Sequence, residues 1–157
     1  MDLIANNMRQ VPSDYWHLIS ISCPDTPKKI NALINERTRG VLKTQRCDKI
    51  LPLQFDDLRD DQVERCLKHG FTPTLFTKEQ SVQVIDFVEA IHKDNRVCDL
   101  VLHCDAGISR SGAIARFTSD YLKIPFRDPN ILPNRYVLEL LWEVIDDRKK
   151  EIIIPQG

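Results

Sequence analysis

The chain lacks long apolar runs and carries no excess of either charge. No stretch of its 157 residues approaches the roughly 18 consecutive apolar residues that a membrane-spanning helix needs. It has 22 Lys and Arg residues against 23 Asp and Glu residues, which gives a net charge of −1. Such a balance provides no long-range attraction to nucleic acid or to an acidic membrane surface. We therefore expect neither a membrane protein nor a nucleic-acid-binding protein.

The chain also lacks closely spaced cysteines. Its five cysteines form no Cys-x-x-Cys pair, and they are Cys23, Cys47, Cys66, Cys98 and Cys104. The odd count and the spacing argue against a zinc site and against a disulfide framework, so we expect no metal and no other cofactor. Residues 1–7 have neither the basic start nor the apolar core of a signal peptide. Reduced thiols and this lack of a signal predict a cytoplasmic protein, in which the cysteines other than Cys104 have core or neutral roles.

Internal repeats, low-complexity tracts and linkers are absent as well. Residues 1–157 are therefore expected to form a single compact domain, and we expect a monomer. The apolar patterns predict strands at residues 16–21, 48–55 and 98–102, and helices at residues 28–36, 77–93 and 134–149, with a further helix opening near Gly112. Strands that alternate with helices indicate an α/β fold.

The most informative segment is residues 103–111, which read HCDAGISRS. It follows a short apolar strand and precedes an apolar-periodic helix, and this placement is typical of a loop that binds one anion at a helix N-terminus. The helix end and a nearby guanidinium would stabilise Cys104 as a thiolate, the nucleophilic form of cysteine. Arg110 can donate two parallel N–H groups to two phosphoryl oxygens.

Other residues of this loop have supporting roles. Gly107 permits the close approach or positive φ that a ring of backbone amides needs. Ser111 can donate its hydroxyl to the sulfur when a phosphoenzyme is hydrolysed, and His103 would orient the nucleophile rather than act as the base. A buried cysteine beside an ordinary turn is the alternative interpretation. The joint spacing of the residues favours the catalytic one.

The segment resembles the signature of the cysteine-dependent protein tyrosine and dual-specificity phosphatases, His-Cys-x5-Arg-Ser/Thr, and is most similar to small bacterial-type members. This resemblance implies a central mixed sheet flanked by helices. It also implies two-step hydrolysis through a cysteinyl-phosphate, with an aspartate from another loop as general acid. The implied substrate-binding residues are His103, Asp105, Ala106, Gly107, Ile108, Ser109 and Arg110.

The general acid is the least certain part of the pattern to assign from the residues. Asp57 aligns with the aspartate of a Phe-x-Asp-Ile/Leu step in the bacterial-type members, so the resemblance makes it the first choice. Asp56, Asp60 and Asp61 are close alternatives, and a solvated loop with one helix N-cap is another interpretation of the same segment. Many dual-specificity members have the acid nearer to the cysteine, where this chain has Thr72-Pro73-Thr74.

Asp105 directly follows the nucleophile and bears on the substrate. A carboxylate at the rim of an anion site disfavours very acidic substrates, and it can equally point to solvent or pair with a basic neighbour. The expected partner is therefore a phosphorylated protein or peptide, with phosphotyrosine first and phosphoserine or phosphothreonine as further substrates. The alternatives are a nucleotide or RNA 5′-phosphatase and a module that binds phosphorylated partners with little turnover.

Three other features have two interpretations each. Asn130 and Asn134 could brace the phosphate loop or serve as turn and cap residues. Residues 70–73 could form a lid or an ordinary Pro-containing turn. His17, His69 and His92 have no metal-ligand spacing, so we expect surface or core positions without a catalytic role.

Overall fold

The computed structural model describes residues 1–5, 15–24, 46–105, 108–126, 128 and 130–153. The predicted helix at residues 28–36 and two predicted site residues, Ala106 and Gly107, lie outside this part of the chain. The described strands are β1 (Asp2–Ala5), β2 (Tyr15–Ser22), β3 (Arg46–Gln54) and β4 (Cys98–His103). The described helices are α1 (Asp60–Lys68), α2 (Lys78–His92), α3 (Arg110–Leu122) and α4 (Arg135–Ile153).

The four described strands form one sheet in the order β1-β4-β2-β3. The predicted α/β architecture is confirmed, but each of the three strand pairings is parallel, whereas a mixed sheet was expected. Between β3 and β4, the helices α1 and α2 carry the chain back to the starting end of the sheet, so β4 runs in the same direction as β3. All four strands therefore end at the same edge of the sheet.

Apolar side chains on one face of the sheet form the main core with α2, α3 and α4. Ile19 and Leu102 from the sheet pack in the same cluster as Val84, Phe117 and Leu141 from the three helices. A second, smaller cluster on the opposite face consists of Trp16, Leu18 and Val101, with Ile4 and Cys47 against it. β4 is buried at every residue, which is typical of a central parallel strand. This burial fixes the position from which the signature loop starts.

The predicted elements that fall within the described residues agree with the observed ones within a few residues, and the ends have identifiable causes. α2 begins after Thr77, whose Oγ1 accepts from the Gln80 amide at 3.2 Å while the Gln80 Oε1 accepts from the Thr77 amide at 3.1 Å. This reciprocal capping box satisfies two amide groups at the helix start. The last helix extends four residues beyond the predicted end at residue 149 and ends at Ile153.

Two elements were not predicted. β1 is only four residues long and pairs with β4 from the other end of the chain. α1 begins within the aspartate-rich segment, which was interpreted either as the source of the general acid or as a solvated loop with one helix N-cap. Its apolar residues, Val63, Cys66 and Leu67, give only one short repeat at helical spacing. Among the described residues, no helix is both long and apolar enough to cross a membrane.

Candidate active site

The signature loop starts at the carboxyl edge of the sheet. β4 ends at His103, Cys104 follows directly, and α3 begins at Arg110. Cys104 is 2% exposed and Arg110 is 3% exposed, so both side chains are withdrawn from solvent. The strand-to-helix placement predicted for this loop is therefore present, and the N-terminus of a 13-residue helix faces the same region. Amides in the first turn of a helix have no partner within the helix and favour an anion.

The nucleophile candidate has a hydroxyl beside its sulfur. Cys104 Sγ lies 3.1 Å from Ser111 Oγ, and Ser111 is fully buried in the first turn of α3. A thiolate has no proton to give, so the hydroxyl donates whenever the sulfur is ionised. Ser111 is therefore in the position predicted for it, where it can stabilise the sulfur as an anion.

Arg110 is fixed on one side by a backbone carbonyl. Its Nη1 donates to the Phe55 carbonyl oxygen at 2.9 Å, and Phe55 directly follows β3. Its Nη2 donates to Asp105 Oδ2 at 2.7 Å. The Nε–H group is buried, and the described residues offer it no hydrogen-bond acceptor. A buried N–H without an acceptor costs roughly 1–3 kcal/mol, and a phosphoryl oxygen is an acceptor that would recover this cost.

Asp105 and Arg110 form an ion pair at the mouth of the site. Burial by itself lowers the pKa of Arg110, but the hydrogen bond to Asp105 and the adjacent Cys23 sulfur outweigh it and raise that pKa. Burial likewise opposes the ionised form of Asp105, yet the hydrogen bonds from Arg110 and Cys23 hold its pKa below the ordinary value of 3.8. Both groups are therefore charged at neutral pH. Asp105 pairs with a basic neighbour, one of the two roles considered for it.

Cys23 is a site residue that the sequence did not reveal. Its Sγ lies 3.4 Å from Arg110 Nη1 and 3.4 Å from Asp105 Oδ2, to which the thiol donates. Burial, the main cause, raises the pKa of this thiol. Cys23 directly follows β2, as Cys104 follows β4, and these two strands are neighbours. The strand order alone brings them together, and it cannot be read from the spacing of the two cysteines.

Asp57 is hydrogen-bonded to the signature loop. Its Oδ1 accepts from Ser109 Oγ at 2.7 Å and from Asn134 Nδ2 at 2.9 Å. Ser109 is the residue before Arg110, so this contact connects the loop after β3 to the start of α3. Among the described residues nothing donates to Asp57 Oδ2, and the side chain is exposed. The Asp57 carboxyl is therefore held through Oδ1, while Oδ2 accepts no hydrogen bond from the described residues.

Asn134 braces the signature loop, which is one of the two roles predicted for it. Its backbone N–H donates to the Ser109 carbonyl at 3.1 Å, and its Nδ2 also donates to the Leu58 carbonyl at 3.1 Å. Its Oδ1 accepts from the Val137 amide at 3.2 Å and so caps the start of α4. Asn134 is therefore both a brace and a cap. Asn130, by contrast, is exposed, and its amide donates to Asp128 within the same turn.

Gly112 allows the segment before Asn134 to lie on the first turn of α3. A Cβ at this position would be 3.2 Å from Ile131 Cβ and 3.9 Å from Pro133 Cα. The first of these distances is shorter than an ordinary van der Waals contact, so a larger residue would push Ile131 away. The close approach depends on the missing side chain.

The other three acid candidates are placed differently. Asp56 Oδ2 accepts from the Thr74 amide at 2.8 Å, and the Asp56 amide donates to the Thr74 carbonyl at 2.7 Å. Asp61 is exposed in the first turn of α1, and the Asp60 side chain lies outside the described part of the structure. The paired bonds to Asp56 also anchor residues 70–74 at Thr74, so this segment is fixed at that end.

A cleft of about 880 Å³ begins where the signature loop meets α4. Its lining includes Arg59 and Asp61 from the start of α1, and Ile108 and Leu132, which are joined by a backbone hydrogen bond of 3.1 Å. Ile108 is 40% exposed and Leu132 is 72% exposed, so both present apolar surface beside the loop. The cleft is large enough for several side chains of a bound peptide.

Of the predicted site residues, the structure brings Cys104, Arg110, Ser111 and Asp105 together, and it places Asp57 against Ser109. His103 is buried at the end of β4, and Ile108 is at the edge of the cleft. Among the described residues, no group of three or more His, Cys, Asp or Glu side chains could hold a metal ion. Comparisons with models of known protein families, with curated proteins and with solved structures found no match.

Proposed function

We propose that the chain is a phosphoprotein phosphatase that hydrolyses phosphotyrosine, and also phosphoserine or phosphothreonine, through a cysteinyl-phosphate intermediate. The observation that carries this proposal is the pair of buried groups, Cys104 and Arg110, on a turn between a parallel strand and a helix N-terminus. In the described part of the chain, the Nε–H group of Arg110 has no acceptor. A tetrahedral phosphate offers oxygen acceptors to the guanidinium and a phosphorus atom to the sulfur.

In the first step, the Cys104 thiolate attacks phosphorus and the ester P–O bond breaks. The leaving oxygen takes a proton from the Asp57 carboxyl, so the dephosphorylated side chain departs as a neutral hydroxyl. Arg110 and the first-turn amides of α3 bind the non-bridging oxygens and stabilise the charge that they carry in the transition state.

In the second step, water attacks the phosphorus of the cysteinyl-phosphate. The Asp57 carboxylate takes a proton from this water, and the S–P bond breaks to release inorganic phosphate. The Ser111 hydroxyl, 3.1 Å from the sulfur, donates to the thiolate as it departs. This contact is expected to matter most in the second step because the sulfur regains its negative charge there.

Asp57 is preferred to Asp56 as the acid because of their hydrogen bonds. The Asp57 carboxyl accepts a hydrogen bond from Ser109 in the signature loop, whereas the Asp56 carboxyl accepts one from the Thr74 amide, outside that loop. Asp61 is one turn into α1, and among the described residues it makes no hydrogen bond to the loop.

The proposed partner is a phosphorylated protein or peptide. The cleft beside Ile108 and Leu132 offers apolar surface for residues that flank the phosphorylated side chain. All five cysteines lie in the described part of the chain and none forms a disulfide, which suits a reducing compartment, and we propose a cytoplasmic location.

The test is hydrolysis of para-nitrophenyl phosphate and of a phosphotyrosine peptide, in reductant and EDTA, by the wild type and by Cys104→Ser, Arg110→Lys, Asp57→Asn and Asp61→Asn. We expect no turnover by Cys104→Ser and a large loss for Arg110→Lys, since lysine cannot form the two-pronged contact. Asp57→Asn should lose about 10²- to 10⁴-fold on the peptide and less on para-nitrophenyl phosphate, whose leaving group needs less protonation.

Asp61→Asn removes a nearby carboxylate that makes no hydrogen bond to the signature loop among the described residues. Because Asp61 lines the cleft beside the loop, the control applies to para-nitrophenyl phosphate, on which this variant should retain the wild-type rate. If Asp61→Asn loses activity while Asp57→Asn keeps full activity, Asp61 is the general acid instead of Asp57. If the wild type binds the phosphopeptide tightly but turns over neither substrate, the proposed enzymatic activity is refuted. The chain would then be a module that binds phosphorylated partners.

A further inference from the structure

Asp105 contacts the same guanidinium nitrogen that a phosphate would use. Arg110 Nη1 is engaged by the Phe55 carbonyl, so a phosphate bound by two prongs would use Nε and Nη2. Nη2 already donates to Asp105 Oδ2 at 2.7 Å. A phosphate on this edge either displaces the carboxylate or shares Nη2 with it. In both cases the two anions compete for one guanidinium.

The carboxylate also has an open side. Asp105 Oδ2 is bonded to Arg110 and to the Cys23 thiol, but among the described residues nothing donates to Oδ1. The Asp105 side chain is 52% exposed, whereas that of Arg110 is 4% exposed. The negative charge is thus presented outward at the mouth of the site while the positive charge is enclosed.

We propose that Asp105 is a specificity-determining residue, which weakens the binding of bare phosphate and selects phosphorylated side chains that have a lysine or arginine next to the phosphoester. This inference rests on the proposed function. A cationic substrate group can bind Oδ1 and offset the repulsion between Asp105 and the phosphate. A substrate with a second phosphate or a flanking glutamate adds repulsion instead.

The first test measures the binding of inorganic phosphate to the full chain by isothermal titration calorimetry. Asp105→Asn and Asp105→Ala should both bind phosphate about threefold to tenfold more tightly than the wild type, the range expected for a partly exposed ion pair. Asp120→Asn is the matched control, because it removes one carboxylate from the far part of α3, where Asp120 pairs with Arg116. It should bind phosphate as the wild type does.

The second test compares two phosphotyrosine peptides that differ only in a lysine or a glutamate beside the phosphotyrosine. The wild type should favour the lysine peptide in kcat/KM by about tenfold, and Asp105→Asn should reduce this ratio to near one. Asp120→Asn should retain the wild-type ratio.

The outcomes separate this inference from the proposed function. If the wild type turns over both peptides and Asp105→Asn changes neither phosphate affinity nor the peptide ratio, the role of Asp105 is refuted and the phosphatase remains. Weaker phosphate binding by both Asp105 variants would also refute it, because Asp105 would then be supporting the pocket. Absence of phosphate binding and of turnover in the wild type would overturn both proposals.

Discussion

Asn134 connects the stability of the fold to the position of the proposed acid, so its substitution gives a sharp prediction. The side chain is 3% exposed and makes three hydrogen bonds, to the Asp57 carboxylate, to the Leu58 carbonyl and from the Val137 amide. Asn134→Ala removes all three. Asn134→Ser keeps a side-chain oxygen that can accept from the start of α4, and removes the other two.

The expected cost follows from these bonds. Two bonds between neutral groups contribute about 1 kcal/mol each, and the bond to the exposed Asp57 carboxylate contributes about as much after screening by solvent. Asn134→Ala should therefore lower the free energy of unfolding by roughly 3 kcal/mol, and Asn134→Ser by roughly 2 kcal/mol. In a domain of this size these losses correspond to falls in Tm of roughly 6–12 °C and 4–8 °C.

Activity should follow a different pattern from stability. Both variants release the same oxygen of Asp57, so kcat/KM on a phosphotyrosine peptide should fall by a similar factor in the two, about tenfold. Because this loss acts through Asp57, adding Asn134→Ser to Asp57→Asn should cause little further loss. Urea unfolding and steady-state kinetics measure the two effects. The reasoning is refuted if Asn134→Ala costs less than about 1 kcal/mol, or if the losses in the double variant simply multiply.

Three further predictions concern other parts of the chain. Ser111→Ala should slow hydrolysis of the phosphoenzyme by about 10- to 100-fold, as expected for loss of a hydrogen bond to a charged group, and a burst of para-nitrophenol should precede the slow steady state. An unchanged kcat without a burst would contradict the role of Ser111 in releasing the Cys104 thiolate. His17 is buried, neither ring nitrogen has a hydrogen-bond partner among the described residues, and burial, the main cause, lowers its pKa below the ordinary 6.5. The unfolded chain then binds the proton more readily, so stability falls as the pH drops below about 6.5, and His17→Leu should weaken this fall in urea unfolding at several pH values. Equal pH dependence in the two proteins would refute this assignment. Gly112→Ala should lower both Tm and kcat/KM, because the new Cβ would press on Ile131, and a variant more stable than the wild type would show that the loop adjusts freely.

The signature loop was predictable because it is continuous in sequence. A strand, a turn with fixed spacing and a helix start all occur between Cys98 and Leu122, and each has a local pattern. The period of apolar residues likewise predicted α2, whose core-facing side chains recur every three or four positions. Where such local preferences agree with the fold, the sequence alone is enough.

α1 shows where local patterns were too weak. Its nine residues hold one short apolar repeat, Val63, Cys66 and Leu67, and two aspartates open it. The aspartates were interpreted as acid candidates or as part of a solvated loop with one helix N-cap. One usable signal was Gln62, whose side chain accepts from the Arg59 amide at 3.0 Å in the manner of half a capping box. That signal marks a helix start at Asp60, close to the aspartates considered as acids.

By itself, the sequence determined the turn between β4 and α3, the nucleophile candidate and the alternation of strands with helices, since these depend on contacts within about ten neighbouring residues. The tertiary structure decided the rest of the site. It alone placed Cys23 and the Phe55 carbonyl on Arg110, and separated Asp57 from Asp56 by their partners. These contacts join the ends of β2, β3 and β4, which are remote in the chain. The order of parallel strands sets them, and that order depends on how the whole core packs.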